Sequence, residues 1–316
     1  MEFAIEARNV VKKFRGADAP ALRNFSLAIP PGTLCGLVGP DGAGKTTALR
    51  ILATVSNSFA GSATVAGYDV RADPESVRSR IGYMPQNFSL YPDLSVWENL
   101  AFFAELNGVP KERRRERMKT MLEFTGLTPF YERRAGDLSG GMKKKLALAC
   151  ALVHEPQVLI LDEPSTGVDP VSRRELWRIL ADVVRRGVTV LISTPYMDEA
   201  ERCHRIGMLY QGSILLLGTP EELIGRMPSR FLEVKASPRK AMRQIVVQTP
   251  GILSWRPVGD RLRVETAENH GEMERIQNHL TDQFREQGMS VEILEEVKPM
   301  MEDLFVHTVG MQERQS

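Results

Sequence analysis

The sequence contains no apolar run near the roughly 18 residues needed to cross a bilayer, so any membrane role is expected to come through another chain. Its opening stretch, MEFAIEARNVVKKF, lacks the basic-then-apolar order of a secretory signal. Cysteine is scarce. Cys35, Cys150 and Cys203 are odd in number and far apart, which suggests neither a disulfide framework nor a CxxC metal site and fits a reducing cytoplasm. Net charge is almost absent, with 41 Lys plus Arg against 40 Asp plus Glu, and this balance gives no electrostatic reason to expect nucleic acid as the main partner. Internal repeats and low-complexity tracts are missing too. What is left is 316 residues of ordinary globular composition, enough for two domains with a core each.

Up to about residue 225, β-type runs alternate with amphipathic stretches: LCGLVG then TTALRILATV, VLILDE then SRRELWRILADVVRRG, VTVLIS then MDEAERC. Such alternation predicts a parallel sheet with crossover helices, an α/β fold. Residues 95 to about 135 interrupt it with helical text, SVWENLAFFAELNGV and, after Pro110, KERRRERMKTMLEFTGL. The basic run is read as the solvated face of a helix. Beyond GTPEELIGRMPSR the order becomes strand, helix, strand, strand, helix, strand, which predicts a small α+β domain of the ferredoxin-like βαββαβ type with a last amphipathic piece, KPMMEDLFVHTV.

The motif GPDGAGKT, Gly39 to Thr46, follows an apolar strand and precedes TALRILATV, the context that a phosphate-binding loop requires. In this loop, Gly39, Pro40, Asp41, Gly42, Ala43 and Gly44, the small residues let consecutive backbone N–H groups turn toward one anion. Lys45 adds charge at the β- and γ-phosphates, Thr46 can ligate Mg²⁺ and Thr47 continues into a helix whose positive end faces the site. Far downstream, VLILDE delivers Asp162 and Glu163 from a strand expected to lie beside the loop's own strand. Asp162 would hold the metal through water, and Glu163 would orient or deprotonate an attacking water. A third piece, LSGGM, opens a helix with Ser139, Gly140 and Gly141, a second anion cradle that one triphosphate in one chain does not need.

These motifs, in this order, resemble the ATP-binding cassette (ABC) family over roughly residues 4–225. The resemblance implies a P-loop NTPase cassette over residues 1–226 with a helical subdomain at about 87–137, followed by an accessory domain over 227–316. It implies ATP and Mg²⁺ as cofactors, and it implies that the LSGGM turn closes over nucleotide held by the loop of a second cassette, in a homodimer or a mixed pair. By the same resemblance Phe14, in VVKKF, stacks on adenine unless it is a core strand residue. Gln86, in IGYMPQN, approaches Mg²⁺ and links the catalytic core to the helical insertion. Residues 165–169, STGVD, are where two cassettes touch.

Two positions depart from the family pattern. Met142 stands where the signature usually ends in Gln, with Ser139, Gly140 and Gly141 intact. Pro195, in VLISTPYMDEA, stands where the family has a histidine that contacts the γ-phosphate, and proline offers neither a side-chain donor nor an N–H. His204 is no substitute: nine helical residues at about 1.5 Å each would place it some 13 Å further along. The resemblance implies an ATPase that powers an exporter of the ABC-2 drug or ion type, cytoplasmic and peripheral on the inner face of the membrane through separate permease subunits. GPDGAGKTT and PMMEDLFV favour that branch. Two other readings stay open on the sequence, a non-hydrolysing regulatory cassette in an asymmetric pair and a soluble ABC ATPase without a channel.

Overall fold

The computed structural model describes residues 2–87, 90–267 and 269–315. The chain forms two compact units, Met1–Pro220 and Glu221–Ser316. This division lies six residues before the expected 226/227 boundary. The reason is local: the last strand of the first unit ends at Gly218, so the chain leaves the sheet before the short helix Pro220–Gly225 rather than after it.

The first unit is α/β and holds two sheets. Six strands form the central one, in the order Ser213–Gly218, Arg205–Tyr210, Leu34–Val38, Thr189–Thr194, Val158–Asp162, Ile81–Met84. All neighbours are parallel except the edge strand Ser213–Gly218. The strands Leu34–Val38, Val158–Asp162 and Thr189–Thr194 are buried at every position, which is why they read as unbroken apolar runs rather than alternating ones. Each Leu, Ile or Val so buried contributes roughly 1.5–3 kcal/mol. One expectation is corrected here. Val158–Asp162 does not lie beside the phosphate-loop strand, because Thr189–Thr194 pairs with both and separates them.

The second sheet is antiparallel, in the order Leu22–Ile29, Ile5–Lys12, Ala60–Val65, Tyr68–Asp69, and was not legible as a separate layer. Helix Val96–Leu106 starts at a capping box, with Ser95 Oγ accepting from Glu98 N and Glu98 Oε2 accepting from Ser95 N. Helix Lys111–Thr125 follows Pro110, stops at Gly126 (φ 69°) and buries Met118, Met121, Leu122 and Thr125, one face at helical spacing. Its basic run faces solvent and pairs with Glu105 and Glu155.

The second unit has one antiparallel sheet in the order Ile252–Val258, Arg261–Ala267, Ser229–Ser237, Ser290–Val297. Helices Arg239–Gln248 and His270–Glu286 supply Met242, Ile245, Val246, Met273, Ile276, Leu280 and Phe284 to its apolar core. The last helix, Met301–Gln315, is tied to the sheet by charge. Arg263 and Asp303, both almost fully buried, make a two-oxygen pair, and His307 Nδ1 lies 2.6 Å from Glu265 Oε1. Among the described residues no helix is long and apolar enough to cross a membrane.

Candidate functional site

The phosphate loop leaves the C-terminal end of the strand Leu34–Val38 and feeds the helix Lys45–Leu52. Two of its glycines are required by space. A Cβ on Gly39 would sit 2.1 Å from the carbonyl oxygen of Leu209, and one on Gly44 (φ 108°) would sit 2.5 Å from that of Ala21. Lys45 is only 4% exposed. Its ammonium donates to Gly39 O at 2.8 Å and Pro40 O at 3.1 Å, and stands 3.5 Å from Glu163 Oε1 and 3.9 Å from Asp41 Oδ1. Asp41, Gly42, Ala43, Gly44, Lys45, Thr46, Thr47, Gln86 and Glu163 line one cleft of about 330 Å³ together with Ala21. Two hollows of about 470 and 560 Å³ lie elsewhere, but only the smaller cleft among these three brings the loop residues, Gln86 and Glu163 together, so the motif residues rather than size mark the candidate site.

The carboxylates arrive from the strand two places away. Thr46 Oγ1 donates to Asp162 Oδ1 at 3.2 Å across the intervening strand, and that strand adds Ser193, whose Oγ donates to the same oxygen at 2.6 Å and accepts from Glu163 N at 3.0 Å. Glu163 holds φ at 49°, an uncommon conformation for a non-glycine residue at the end of a strand. Gln86 Nε2 and Thr166 Oγ1 both donate to Glu163 Oε2, at 3.0 and 3.3 Å. Lys144, from the helix Gly140–Leu152, donates to Gln86 O at 3.3 Å. Partial burial pulls its ammonium below the usual lysine range, against the opposing pull of Glu163 and Asp162. Sequence reasoning missed Ser193, Thr166 and Lys144. A serine at the end of an otherwise apolar strand was the visible signal for the first.

A hard divalent cation fits this arrangement. Asp162 Oδ2 is buried with no hydrogen-bond partner among the described residues, beside the Thr46 hydroxyl. No cluster of three or more His, Cys, Asp or Glu suited to a metal occurs among those residues, so a cation here would take its remaining oxygens from phosphates and water, the habit of Mg²⁺.

The other motif residues fall outside the loop cleft. Ser139 caps the helix Gly140–Leu152, accepting from Met142 N at 3.3 Å; Ser139 and Gly140 are exposed, and Gly141 is buried with no room for a Cβ, which would lie 2.3 Å from Ser172 Oγ. Met142 is half-buried. Asp169 caps the helix Pro170–Arg185, accepting from Val171 N and Ser172 N at 3.0 Å each, and hydrogen bonds from Ser172 and these amides hold its carboxyl below the usual range. Phe14 is 48% exposed, with Lys12 Nζ 5.0 Å from its ring centre, so the core-strand alternative does not hold.

Pro195 is half-buried directly after the strand Thr189–Thr194, where Thr194 Oγ1 accepts from Tyr196 N at 3.1 Å. His204 is corrected in its route. The helix after Pro195 covers only Met197–Ala200, and the chain then turns into the strand Arg205–Tyr210. His204 Nδ1 accepts from Leu34 N at 3.2 Å, at the start of the loop's own strand and so at the opposite end of the sheet.

A strand-to-helix loop closing on a lysine, with an Asp–Glu pair delivered by a buried parallel strand, defines a P-loop nucleotide-binding fold. A profile described as ABC transporter matches residues 22–166. The daunorubicin resistance ATP-binding protein DrrA2 of Streptomyces coeruleorubidus is 34% identical over 309 residues, 98% of this chain and 95% of its own. The probable multidrug ABC transporter ATP-binding protein YbhF of Escherichia coli (strain K12) is 40% identical over 313 residues, 97% of this chain and 52% of its own. The chain thus spans about half the length of that relative. Among solved structures, the dimeric ATP-binding cassette MJ0796 in a post-hydrolysis state bound to ADP and Pi aligns with a TM-score of 0.62 at 26% identity, over 68% of this chain and 98% of its own. This chain belongs to the ABC transporter family.

Proposed function

We propose that this chain is the ATP-binding and ATP-hydrolysing subunit of an exporter, acting from the cytoplasmic face through a separate membrane subunit. The observation that carries the reading is the meeting of Lys45 and Gln86 on opposite oxygens of Glu163 in the phosphate-loop cleft. The names of the relatives, which include drug-resistance and multidrug ATP-binding proteins, support export rather than import. The near-neutral charge gives no support to nucleic acid as a partner.

On this reading the free amides of the loop and the positive end of the helix Lys45–Leu52 bind the phosphates, and Lys45 exchanges the carbonyls of Gly39 and Pro40 for phosphate oxygens. Mg²⁺, when bound, screens the charge that develops on the phosphates. Thr46 and Asp162 would hold it, with Ser193 orienting the Asp162 carboxylate, and Gln86 lines the same cleft. Glu163 accepts the proton of the attacking water while Gln86 and Thr166 fix its orientation. Phe14 offers an exposed ring for the adenine. The turn Ser139–Gly141, exposed at Ser139 and Gly140, cradles the phosphates of a second cassette, since it does not line its own cleft, and the helical subdomain passes the closing motion to permease helices. Within the second unit, residues from 227 onward form an accessory domain of ferredoxin-like type. Its strand order, two-three-one-four with antiparallel neighbours throughout, supports this.

Glu163→Gln tests the reading, because the amide keeps the shape and loses the base. We expect hydrolysis to fall by about 100-fold or more, with an ATP-dependent dimer accumulating. Unchanged turnover would refute the assignment. Pro195 favours one further reading, a slow site in an asymmetric pair whose other cassette carries the complete set.

A further inference from the structure

Glu199 is fully buried, yet it has no part in the chemistry above. One oxygen, Oε2, accepts from Thr194 Oγ1 at 2.6 Å and from Ser165 Oγ at 2.9 Å. These hydroxyls belong to different segments. Thr194 ends the strand before Pro195, and Ser165 opens STGVD. The other oxygen, Oε1, is buried with no hydrogen-bond partner among the described residues, and Arg173 Nε stands 3.8 Å from it. Arg173 belongs to the helix that continues STGVD. It donates to Asp198 Oδ2 at 2.9 Å and lies over the ring of Tyr196, 5.5 Å from its centre. It therefore grips two residues between Pro195 and Glu199 and stops about 1 Å short of the carboxylate itself.

A buried carboxylate oxygen without a donor is costly, and in a native fold it asks for a reason. A forked donor poised just outside hydrogen-bond reach supplies one, since a small shift of residues 165–173 would complete the pair. We propose that Glu199 is a positioning residue that locks residues 165–173 to the strand end at 193–195, and that pressure on residues 165–169 from a second cassette seats Arg173 on Glu199 Oε1. The seating rests on the proposed function, which supplies the second cassette; the lock does not. Through the lock, the segment facing the partner and the strand end facing the phosphates move as one body. That link matters more in this chain than in one with a histidine, because Pro195 leaves no side chain to make it.

The lock is tested without nucleotide, by amide hydrogen exchange on the full chain. Ser165→Ala removes one tie to Glu199, and exchange should rise several-fold at 196–198 as well as at 165–169; a rise confined to 165–169 overturns the lock. The seating is tested by turnover. Glu199→Gln keeps an acceptor for both hydroxyls but turns an amide donor toward Arg173, so kcat should fall about ten-fold with KM and Tm unchanged. Arg173→Ala should match it, and the double variant should be no worse than either single change. Unchanged kcat, or losses that add, overturns the seating. ATP binding by the unaltered chain is the separate check on the proposed function, and its failure would leave the exchange experiment decisive for the lock.

Discussion

Two helix N-termini in the first unit, both of which we read as anion sites, are finished to different degrees. The one after the phosphate loop is enclosed: Gly39 and Gly44 are wedged against backbone carbonyls, Lys45 is buried, and Glu163, Gln86 and Thr46 close the cleft around it. The one at Ser139 is open, with two exposed residues and a single capping bond to Met142 N. Equal backbone chemistry thus sits in unequal surroundings. The lesson is about completeness within one chain: the loop has its counter-groups, and the Ser139 turn leaves its free amides to be met from outside.

The largest effect should come from breaking the finished side. Lys45→Ala removes the charge-assisted contacts to phosphate and is expected to weaken ATP binding on the order of 100-fold, measured by calorimetry on the isolated chain. Because Lys45 is also the buried partner of Glu163, the variant should lose some thermal stability as well. Unchanged affinity would mean that the enclosed terminus is not the nucleotide site.

A smaller effect should come from the open side, and only in assembly. Ser139→Ala is expected to leave the affinity of the isolated chain within two-fold, yet to lower kcat of the paired cassettes about ten-fold, less than the roughly 100-fold or more that loss of an oxyanion donor costs elsewhere, because the amides of the turn remain. Loss of affinity in the isolated chain would erase the distinction between the two termini. Its helix should persist, since a lost N-cap costs about 1 kcal/mol.

The enclosed terminus was largely legible because its signal is contiguous: eight residues at one strand-to-helix junction specify the loop, and the unbroken run VLIL announces a buried strand ending at Asp162 and Glu163. What could not be read was lateral order. Periodicity tells that a strand is buried on both faces, but not which neighbour lies beside it, so Thr189–Thr194 and with it Ser193 were overlooked as the bridge to Asp162. The antiparallel sheet hid for another reason. Its first two strands carry left-handed residues, Asn9 (φ 49°) and Asn24 (φ 50°), and the register of Ile5–Lys12 slips against both neighbours, which blurs the alternation a reader would count. His204 was misplaced along its path because MDEAERC has helix-forming composition, although the helix ends at Ala200.

Pro195 lies between the two cases, at a strand end aimed at the enclosed site but without a donor. Pro195→His is expected to raise kcat of the assembled protein by up to about ten-fold, with KM little changed because Lys45 and the loop amides carry ground-state binding. Steady-state ATPase of both proteins, with the membrane partner present, measures it. The turn is held by Thr194 Oγ1 and Tyr196 N, which histidine does not disturb, so Tm should be preserved. No gain with an intact fold would show that the site works without an imidazole, and the asymmetric pair would lose its support.

The smallest effect concerns how the open terminus is anchored. The helix that begins at Ser139 ends at Leu152, and just beyond it His154 Nε2 donates to Ile81 O at 2.9 Å, fastening that end to the strand Ile81–Met84. Burial lowers the pKa of His154 below its ordinary value of about 6.5, with the Ile81 bond opposing and Arg117 adding to the fall. The fold therefore prefers the neutral ring, while the unfolded chain takes up its proton near the ordinary value. The stability this provides is complete above about pH 6.5 and is lost as pH falls through the lower, folded value. Protonation should then loosen the helix carrying Ser139, while the phosphate loop, which His154 does not touch, stays as it is. We expect a loss of about 1–2 °C in Tm between pH 7.5 and 5.5 that His154→Gln reduces, since the amide can still donate to Ile81 without gaining charge. ATP affinity of the isolated chain should show no matching difference between the two proteins. Parallel Tm profiles would mean that the His154 anchor does not titrate, and an affinity difference would mean that the two helix N-termini are coupled within a single chain.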